Sequence, residues 1–321
     1  MKARASVHTD TEMTACLLCG SDNGEDLVRS AAQMSSSTAW FRFVRCRLCG
    51  LVYLNPRVAE RAIDAWYGPE YLPHRGSFAW GRYARFAAEG QRRTDRERVR
   101  VALDDTGGLP PGSRVLDVGC GQPTFLEALH DAADVSGTGV DVSDAGWRED
   151  PERWRRSKLE LVVGRIEDVE LSSGYDLITL WHALEHDYRP LPTLTRLRAM
   201  ARPGATLIVE VPDHDGLTRR LQGPHWAGYH TPRHTAVYTA ATLGDALGRT
   251  GWRVVRQRRR GTLDPYVLYW LGRQEQLRRS LDGTLESRFP AFMLGKVLTL
   301  PLVLTQAWLP LGVQLAVARA G

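Results

Sequence analysis

The stretch LDVGCG (residues 116–121) follows a short apolar run and precedes a helical pattern with the sequence PTFLEALHDAA. Gly119 and Gly121 let the backbone approach a ligand closely at this junction, and the first turn of the helix offers free N–H groups. Asp141 ends the next predicted strand, where an acid can hydrogen-bond the hydroxyls of a ribose. The pattern therefore indicates an α/β domain that binds a nucleoside-containing ligand.

The alternation of strands and helices continues on both sides of this stretch. Predicted strands cover residues 114–118, 136–142, 159–163, 175–181, 205–212, 252–257 and 312–319. Helical patterns over 189–201 and 239–250 separate them. Strands that alternate with helices predict a largely parallel sheet with helices on both faces.

Two ligands compete for the glycine loop. A dinucleotide requires a third glycine, where this chain has Thr124, and it would place a pyrophosphate beside Asp117. S-adenosylmethionine carries no phosphate, and its ammonium and sulfonium groups suit an acidic loop. The loop therefore favours S-adenosylmethionine.

The N-terminal region contains two matching knuckles, CLLCG (16–20) and CRLCG (46–50). Each knuckle offers two thiolates to one ion, and two knuckles complete a closed tetrahedral site for zinc with a structural role. The first residues, MKARASVHTDTEM, contain no apolar run, which predicts a cytoplasmic, reducing environment in which metal is favoured over disulfides. The predicted zinc ligands are Cys16, Cys19, Cys46 and Cys49.

These motifs, together with GVDVS, YDLITLWHALEH, RPGATLIVEVP, TPRHTAVYTAATL and GWRVV, resemble the class I S-adenosylmethionine-dependent methyltransferases. The resemblance is to the branch with an N-terminal zinc-binding region, which includes small-molecule and deoxysugar methyltransferases. It implies an α/β, Rossmann-like sheet of seven strands, with helices on both faces, an antiparallel last strand and a small zinc-knuckle module.

The predicted organisation has four parts. A disordered tail (1–14) precedes the zinc-binding module (15–56) and a helical lid or linker region (57–109). The methyltransferase core (110–321) carries a helical insertion at about 262–309.

The loop pattern and the resemblance assign ten residues to the cofactor: Asp117, Gly119, Cys120, Gly121, Asp141, Val142, Ile166, Glu167, Trp181 and Tyr71. Two positions depart from the family pattern. Pro123 stands where a third glycine is usual, and Arg165 stands where an acid often contacts adenine, leaving Glu167 or Asp168 for that task. These departures keep open a catalytically inactive S-adenosylmethionine-binding scaffold.

Histidines are the candidate bases, because imidazole accepts protons near neutral pH. His234, in TPRH, is the first candidate, with His182 and His186 after the fourth predicted strand as alternates. Each histidine has a structural alternative as a loop brace. Arg233, next to His234, is a candidate for binding an acceptor carboxylate or phosphate.

The composition permits an anionic partner but does not require one. The chain has 321 residues, 25% of them charged, and a net charge of +5. We expect a small-molecule or glycan-like acceptor that is methylated on O, C or N, in secondary metabolism; an rRNA or tRNA substrate is the alternative, because Arg256 and Arg258–Arg260 form a basic cluster.

The uncharged C-terminal stretch from Val297 to Ala318 allows two interpretations. The first is a buried or groove-covering helix over about 290–308, followed by the last strand. The second is a weak contact with a membrane surface through 290–311. The sequence leaves the oligomeric state open.

Overall fold

The computed structural model describes residues 10–68 and 71–321. Its strands are β1 (Thr11–Glu12), β2 (Gly24–Ala31), β3 (Trp40–Cys46), β4 (Val52–Leu54), β5 (Arg57–Val58), β6 (Arg114–Val118), β7 (Ser136–Asp141), β8 (Glu160–Val163), β9 (Tyr175–Trp181), β10 (Ala201–Pro212), β11 (Ala236–Val237), β12 (Trp252–Arg258) and β13 (Val313–Ala320). Its α-helices are α1 (Leu72–Arg75), α2 (Ala84–Thr106), α3 (Thr124–Ala133), α4 (Pro151–Arg156), α5 (Pro190–Met200), α6 (Leu217–Gln222), α7 (Ala240–Arg249), α8 (Pro265–Gln276) and α9 (Phe289–Leu304).

Among the described residues, seven strands form one sheet in the order β12-β13-β10-β9-β6-β7-β8. Strand β13 runs antiparallel to both of its neighbours, whereas β6 to β10 pair in parallel. The central strand β9 is buried at every residue except Asp176, because helices cover both faces of the sheet. This sheet confirms the predicted seven-stranded fold with an antiparallel last strand.

The N-terminal cysteine region forms a second sheet with a strand of the core. Strands β2, β3 and β4 pair antiparallel, and β11 adds to β4 through the pairs Ala236 with Tyr53 and Val237 with Val52. Phe43 of β3 packs against Tyr229, which precedes β11, with ring centroids 4.8 Å apart. The segment 15–56 therefore shares its sheet and its apolar core with the chain that follows β10.

The structure corrects the predicted disordered tail and shows the helices of the predicted lid region. Residues 1–9 lie outside the described residues, but Thr11–Glu12 pair with Arg57–Val58, and Arg57 Nε donates to Glu12 Oε1 at 2.8 Å. The prediction of disorder is wrong for this part, because a two-residue strand leaves no periodic signal in the sequence. The region 57–109 contains α1, α2 and two 3-10 helices, Glu60–Trp66 and Gly76–Tyr83.

Helix α9 is attached at its first turns and exposed beyond them. Phe289 and Phe292 pack against Trp80, with ring centroids 5.6 and 4.9 Å from its ring. In the described part of the chain, the segment Glu286–Leu304 is the one helix long and apolar enough to cross a membrane, by length and composition only, and 6% of its apolar window is buried. The prediction of a buried or groove-covering helix is therefore wrong, because no element within 10–68 or 71–321 covers the exposed apolar side of α9.

Candidate active site

A cavity of about 880 Å³ opens at the carboxyl ends of the parallel strands β6, β7 and β9. Its first wall is the glycine loop with the end of β7, and we call this the cofactor wall. Its second wall contains Tyr67, Tyr71 and His186, and we call this the acceptor wall. Ligands of open α/β sheets bind at this edge.

The cofactor wall is built from backbone and one carboxylate. Gly119 has a φ of +71°, and a Cβ added there would lie 2.6 Å from the Ala183 Cβ, so this position requires glycine. The Asp141 carboxylate accepts hydrogen bonds from the Gly121 N–H at 2.9 Å and the Ser143 N–H at 3.1 Å. Asp141 therefore fixes the loop and also faces the cavity.

Most of the predicted cofactor residues reach the cavity. Those that line it are Gly119, Gly121, Asp141, Val142, Ile166, Glu167 and Tyr71. Arg165 also lines it, and its guanidinium lies 2.8 Å from Glu60 Oε1 of the lid region. The position where the family often has an acid is thus held in an ion pair between the core and the lid.

Three predicted cofactor residues point elsewhere, because side chains alternate across the strand ends. Asp117 is 3% exposed and accepts a hydrogen bond from Thr179 Oγ1 at 2.6 Å; its burial raises the pKa of this carboxyl to about 7. Trp181 packs edge-on against Phe125, with ring centroids 5.3 Å apart. Cys120 packs over the backbone of β7. Asp117, Cys120 and Trp181 therefore support the loop from beneath and do not contact the cavity.

His182 lines the cavity as a cation. Its Nδ1 lies 3.2 Å from Glu185 Oε1 and its Nε2 lies 3.0 Å from Glu210 Oε1. Burial alone lowers the pKa of His182, but the two buried carboxylates outweigh it and raise this pKa to about 9. A protonated imidazole has no free lone pair, so the structure makes His182 a positioning group and not the predicted alternate base.

The other two candidate histidines lie side by side with His230. The His186 ring is 4.5 Å from the His234 ring and 5.8 Å from the His230 ring. His186 lines the cavity and its Nδ1 is 2.9 Å from the Tyr67 hydroxyl, whereas His234 is not among the lining residues. Burial lowers the pKa of all three histidines. The structure thus gives the cavity-facing position to His186 and places His234 deeper in the protein.

Arg233 fixes the acceptor wall from behind. Its guanidinium donates to the carbonyl oxygens of Trp66, Gln33 and Met34 at 2.8, 2.9 and 3.2 Å, and it lies 4.4 Å from the centre of the Tyr71 ring. With its donors used in this way and only 2% of its surface exposed, Arg233 does not have the predicted role of binding an acceptor anion.

Sequence reasoning missed the pairing of Tyr67 with His186 and the role of the buried acids Glu185 and Glu210. Tyr67 and His186 are 119 residues apart, so no local pattern connects them. The spacing of His182, Glu185 and His186 within WHALEH was the available signal, because it places an acid between two histidines at a strand end.

The four knuckle cysteines converge as predicted. Their sulfur atoms all lie within 4.8 Å of one another, with Sγ–Sγ distances of 3.4 Å for Cys16 and Cys49 and 3.5 Å for Cys19 and Cys46. Burial acts to raise the pKa of Cys46, but the amides of Cys49 and Leu48 outweigh it and lower this pKa to about 7. Burial raises the pKa of Cys49 to about 11 and raises that of Cys16 as well. The cluster offers four sulfur ligands at spacings that suit one tetrahedral ion.

The sheet order, the glycine loop and the cavity at the strand ends define the class I methyltransferase fold. A sequence model of the methyltransferase domain family matches residues 84–257, and the chain belongs to this family.

Two curated relatives match about a third of the chain. A protein of Streptomyces fradiae, described as an uncharacterized 37.1 kDa protein in transposon TN4556, is 32% identical over 112 residues, which cover 34% of this chain and 32% of the relative. The mitochondrial ubiquinone biosynthesis O-methyltransferase of Schizosaccharomyces pombe is 27% identical over 116 residues, 34% of this chain and 42% of the relative. The chain thus spans less than half the length of these relatives.

Solved structures that share the fold over most of this chain include an N-methyltransferase. It is phosphoethanolamine N-methyltransferase 2 of Haemonchus contortus, in complex with S-adenosyl-L-methionine. The TM-score is 0.55 at 14% identity, covering 84% of this chain and 62% of the other. At this identity the likeness describes the fold.

Proposed function

We propose that the protein transfers the methyl group of S-adenosylmethionine to a small-molecule or glycan-like acceptor, in secondary metabolism. The observation that carries this proposal is a single cavity with the glycine loop and Asp141 on one wall and the Tyr67–His186 pair on the other. The ubiquinone biosynthesis O-methyltransferases among the relatives favour an oxygen acceptor over carbon or nitrogen.

The residues present fit this cofactor. Gly119 and Gly121 line the cavity without side chains, and the Asp141 carboxylate stands at the cavity edge beside them. When bound, S-adenosylmethionine supplies an activated methyl group. The protein then has to align the acceptor and exclude water, and Tyr67, Tyr71 and His186 form the surface that does so.

Calorimetric titration tests the proposal. We expect S-adenosylmethionine and S-adenosylhomocysteine to bind the full chain and NADH not to bind. A radiolabelled-methyl screen of hydroxylated small molecules then seeks the acceptor. Binding without any transfer favours the inactive scaffold that Pro123 and Arg165 suggested, and absence of binding refutes the proposal.

An RNA substrate is the weaker alternative. The basic cluster at the end of β12 that suggested it is half neutralised, because two carboxylates pair with its arginines. Arg256 and Arg258 reach Asp105 Oδ1 at 2.6 and 3.0 Å, and Arg259 reaches Asp213 Oδ2 at 2.9 Å. Charges paired in this way attract phosphates less than a free basic patch does. Salt-dependent binding of a transfer or ribosomal RNA fragment would reverse this preference.

We also propose that the four knuckle cysteines hold one structural zinc ion. Thiolates about 2.3 Å from a central zinc lie about 3.8 Å apart, close to the observed Sγ–Sγ distances. Cys46→Ser is expected to remove this ion and to destabilise the sheet of β2, β3 and β4. Cys120→Ala, which changes the fifth cysteine, is the matched control and should leave the all-sulfur site filled.

We propose further that α9 contacts a lipid surface. Its exposed side carries Leu294, Val297 and Leu298, each more than 60% exposed, and Trp308 beyond it is 85% exposed. Its one charge, Lys296, is turned to Asp264 at 2.8 Å, so the exposed side is uncharged. An uncharged apolar side that ends in tryptophan matches the interface of a bilayer.

Flotation with phosphatidylcholine vesicles tests this contact. Leu298→Glu is expected to abolish co-flotation, whereas Leu221→Glu, at an equally exposed leucine on α6, should leave it unchanged. Absence of co-flotation of the unmodified chain would refute the contact.

A further inference from the structure

Three histidines converge beside the cavity, and two of them, His230 and His234, have no role in the proposed transfer. His186, His230 and His234 each offer one ring nitrogen, and these three nitrogens lie within 4.8 Å of one another. The first histidine follows β9 in the short 3-10 helix Leu184–His186, and the other two lie in the loop between β10 and β11. Nitrogens bound about 2.0–2.1 Å from one tetrahedral ion lie about 3.4 Å apart, so the rings would turn inward to bind it.

His234 and His230 each have a ring nitrogen that can bind an ion. His234 Nδ1 lies 2.9 Å from the Gly228 carbonyl oxygen, which can only accept, so this nitrogen carries the proton and Nε2 keeps a lone pair. His230 Nε2 is buried, and no described residue is its hydrogen-bond partner. A histidine that donates its second nitrogen to a backbone carbonyl is the usual arrangement of a metal ligand.

Two buried carboxylates lie beside the cluster. Glu185 and Glu210 are fully buried, and each lies against His182. Glu185 Oε1 lies 4.0 Å from His234 Nε2, and Glu185 Oε2 has no hydrogen-bond partner among the described residues. The guanidinium of Arg233 keeps its positive charge although its donors go to three backbone carbonyls, and it lies close enough to lower the pKa of all three histidines. Neutral imidazoles beside a buried carboxylate oxygen are groups that a metal cation can bind or lie against.

We propose that His186, His230 and His234 form a second metal site, distinct from the four-cysteine cluster, that takes a divalent first-row transition metal such as zinc. Imidazole suits this class of ion. Three protein ligands leave an open position, as in catalytic rather than structural sites. Because His186 lines the cavity, this position can bind an oxygen of the acceptor and lower the pKa of a hydroxyl there. Metal binding stands on the geometry alone, whereas this role toward the acceptor rests on the proposed function.

Metal stoichiometry and ligand type test the site directly. The full chain, saturated with zinc and freed of excess, is analysed by mass spectrometry for metal content and by X-ray absorption at the zinc edge. We expect two ions per chain and a mixed sulfur and nitrogen shell. The double variant His230→Ala/His234→Ala should keep one ion with an all-sulfur shell, and His225→Ala is the matched control that should keep two.

Two further measurements distinguish loss of the metal site from misfolding and from failure of the proposed function. His230→Gln preserves much of the side-chain volume and should also lose the second ion. This variant can therefore replace the double variant if the latter fails to fold. Calorimetry with S-adenosylmethionine on the same samples reports the proposed function separately from metal binding. A single ion with only sulfur ligands in the unmodified chain, or two ions retained in the double variant and in His230→Gln, would overturn the second site.

Discussion

The two walls of the cavity are built in different ways. The cofactor wall comes from one continuous stretch, with the glycine loop hydrogen-bonded to Asp141 about twenty residues later. The acceptor wall draws Tyr67 from the lid region and His186 from the end of β9, and Arg233, in the loop before β11, supports it from behind. The first wall depends on backbone conformation, and the second depends on buried charged and polar side chains.

This difference implies different sensitivities. A change in the cofactor wall should alter ligand affinity and leave the stability of the fold nearly intact, because the loop lies on a preformed sheet. A change in the acceptor wall should cost stability first, because its side chains join segments that are far apart in the chain. Stability and affinity measured on the same variants can therefore test the comparison.

Arg233→Ala should have the largest effect. It leaves the carbonyls of Trp66, Gln33 and Met34 without their buried donor, and we expect a loss of about 3–5 kcal/mol in unfolding free energy, measured by denaturant titration. Exposed Arg93→Ala is the matched control and should change stability by less than about 0.5 kcal/mol. A near-neutral Arg233→Ala would show that the acceptor wall does not depend on this residue.

His182→Gln should come next and should depend on pH. Because the pKa of His182 is raised from 6.5 to about 9 in the folded protein, its charge stabilises the fold fully below about pH 6.5 and this contribution is lost as pH rises through 9. We expect the variant to be less stable by about 3 kcal/mol at pH 6, with the difference shrinking by pH 10. A pH-independent loss for His182→Gln would contradict the paired charges.

The cofactor wall was predictable because its signals are local. Glycines at a strand-to-helix junction and an acid at the next strand end lie within one βαβ unit, so periodicity and turn chemistry locate them. The sequence predicts that Asp117 and Trp181 contact the cofactor, but both side chains point into the core. Successive side chains at a strand end face the cavity and the core in turn, and the sequence pattern does not show which of the two a given residue faces.

The acceptor wall was only partly predictable because its contacts are long-range. An arginine can bind an anion, so the sequence suggested that role for Arg233. Only the fold shows that its guanidinium donates hydrogen bonds to three carbonyls from two other segments. The pairing of β11 with β4 could not be predicted either, because a strand of two residues shows no periodicity in the sequence. The four cysteines were the exception, because paired knuckles repeat a local motif.

Gly119→Ala tests whether a change in the cofactor wall lowers affinity more than stability. The added Cβ would lie 2.6 Å from Ala183 Cβ at a φ of +71°, so the loop must shift. We expect the free energy of S-adenosylmethionine binding to weaken by about 2 kcal/mol, measured by calorimetry, with a smaller change in unfolding free energy. Gly248→Ala on α7, where nothing lies within 4 Å of the new Cβ, should bind normally. A loss of stability without a loss of affinity would erase the distinction between the walls.

Asp141→Asn should have the smallest effect and separates the two tasks of this side chain. Asparagine keeps one oxygen for the loop amides, which Asp141 now serves with both of its oxygens, but it removes the charge and one acceptor. We expect a loss of about 1 kcal/mol in S-adenosylmethionine binding, with S-adenosylhomocysteine affected equally, since both carry the same ribose. Exposed Asp131→Asn should bind both ligands as the unmodified chain does. Unchanged affinity in Asp141→Asn would mean that the carboxylate only braces the loop and that the ribose is held by backbone alone.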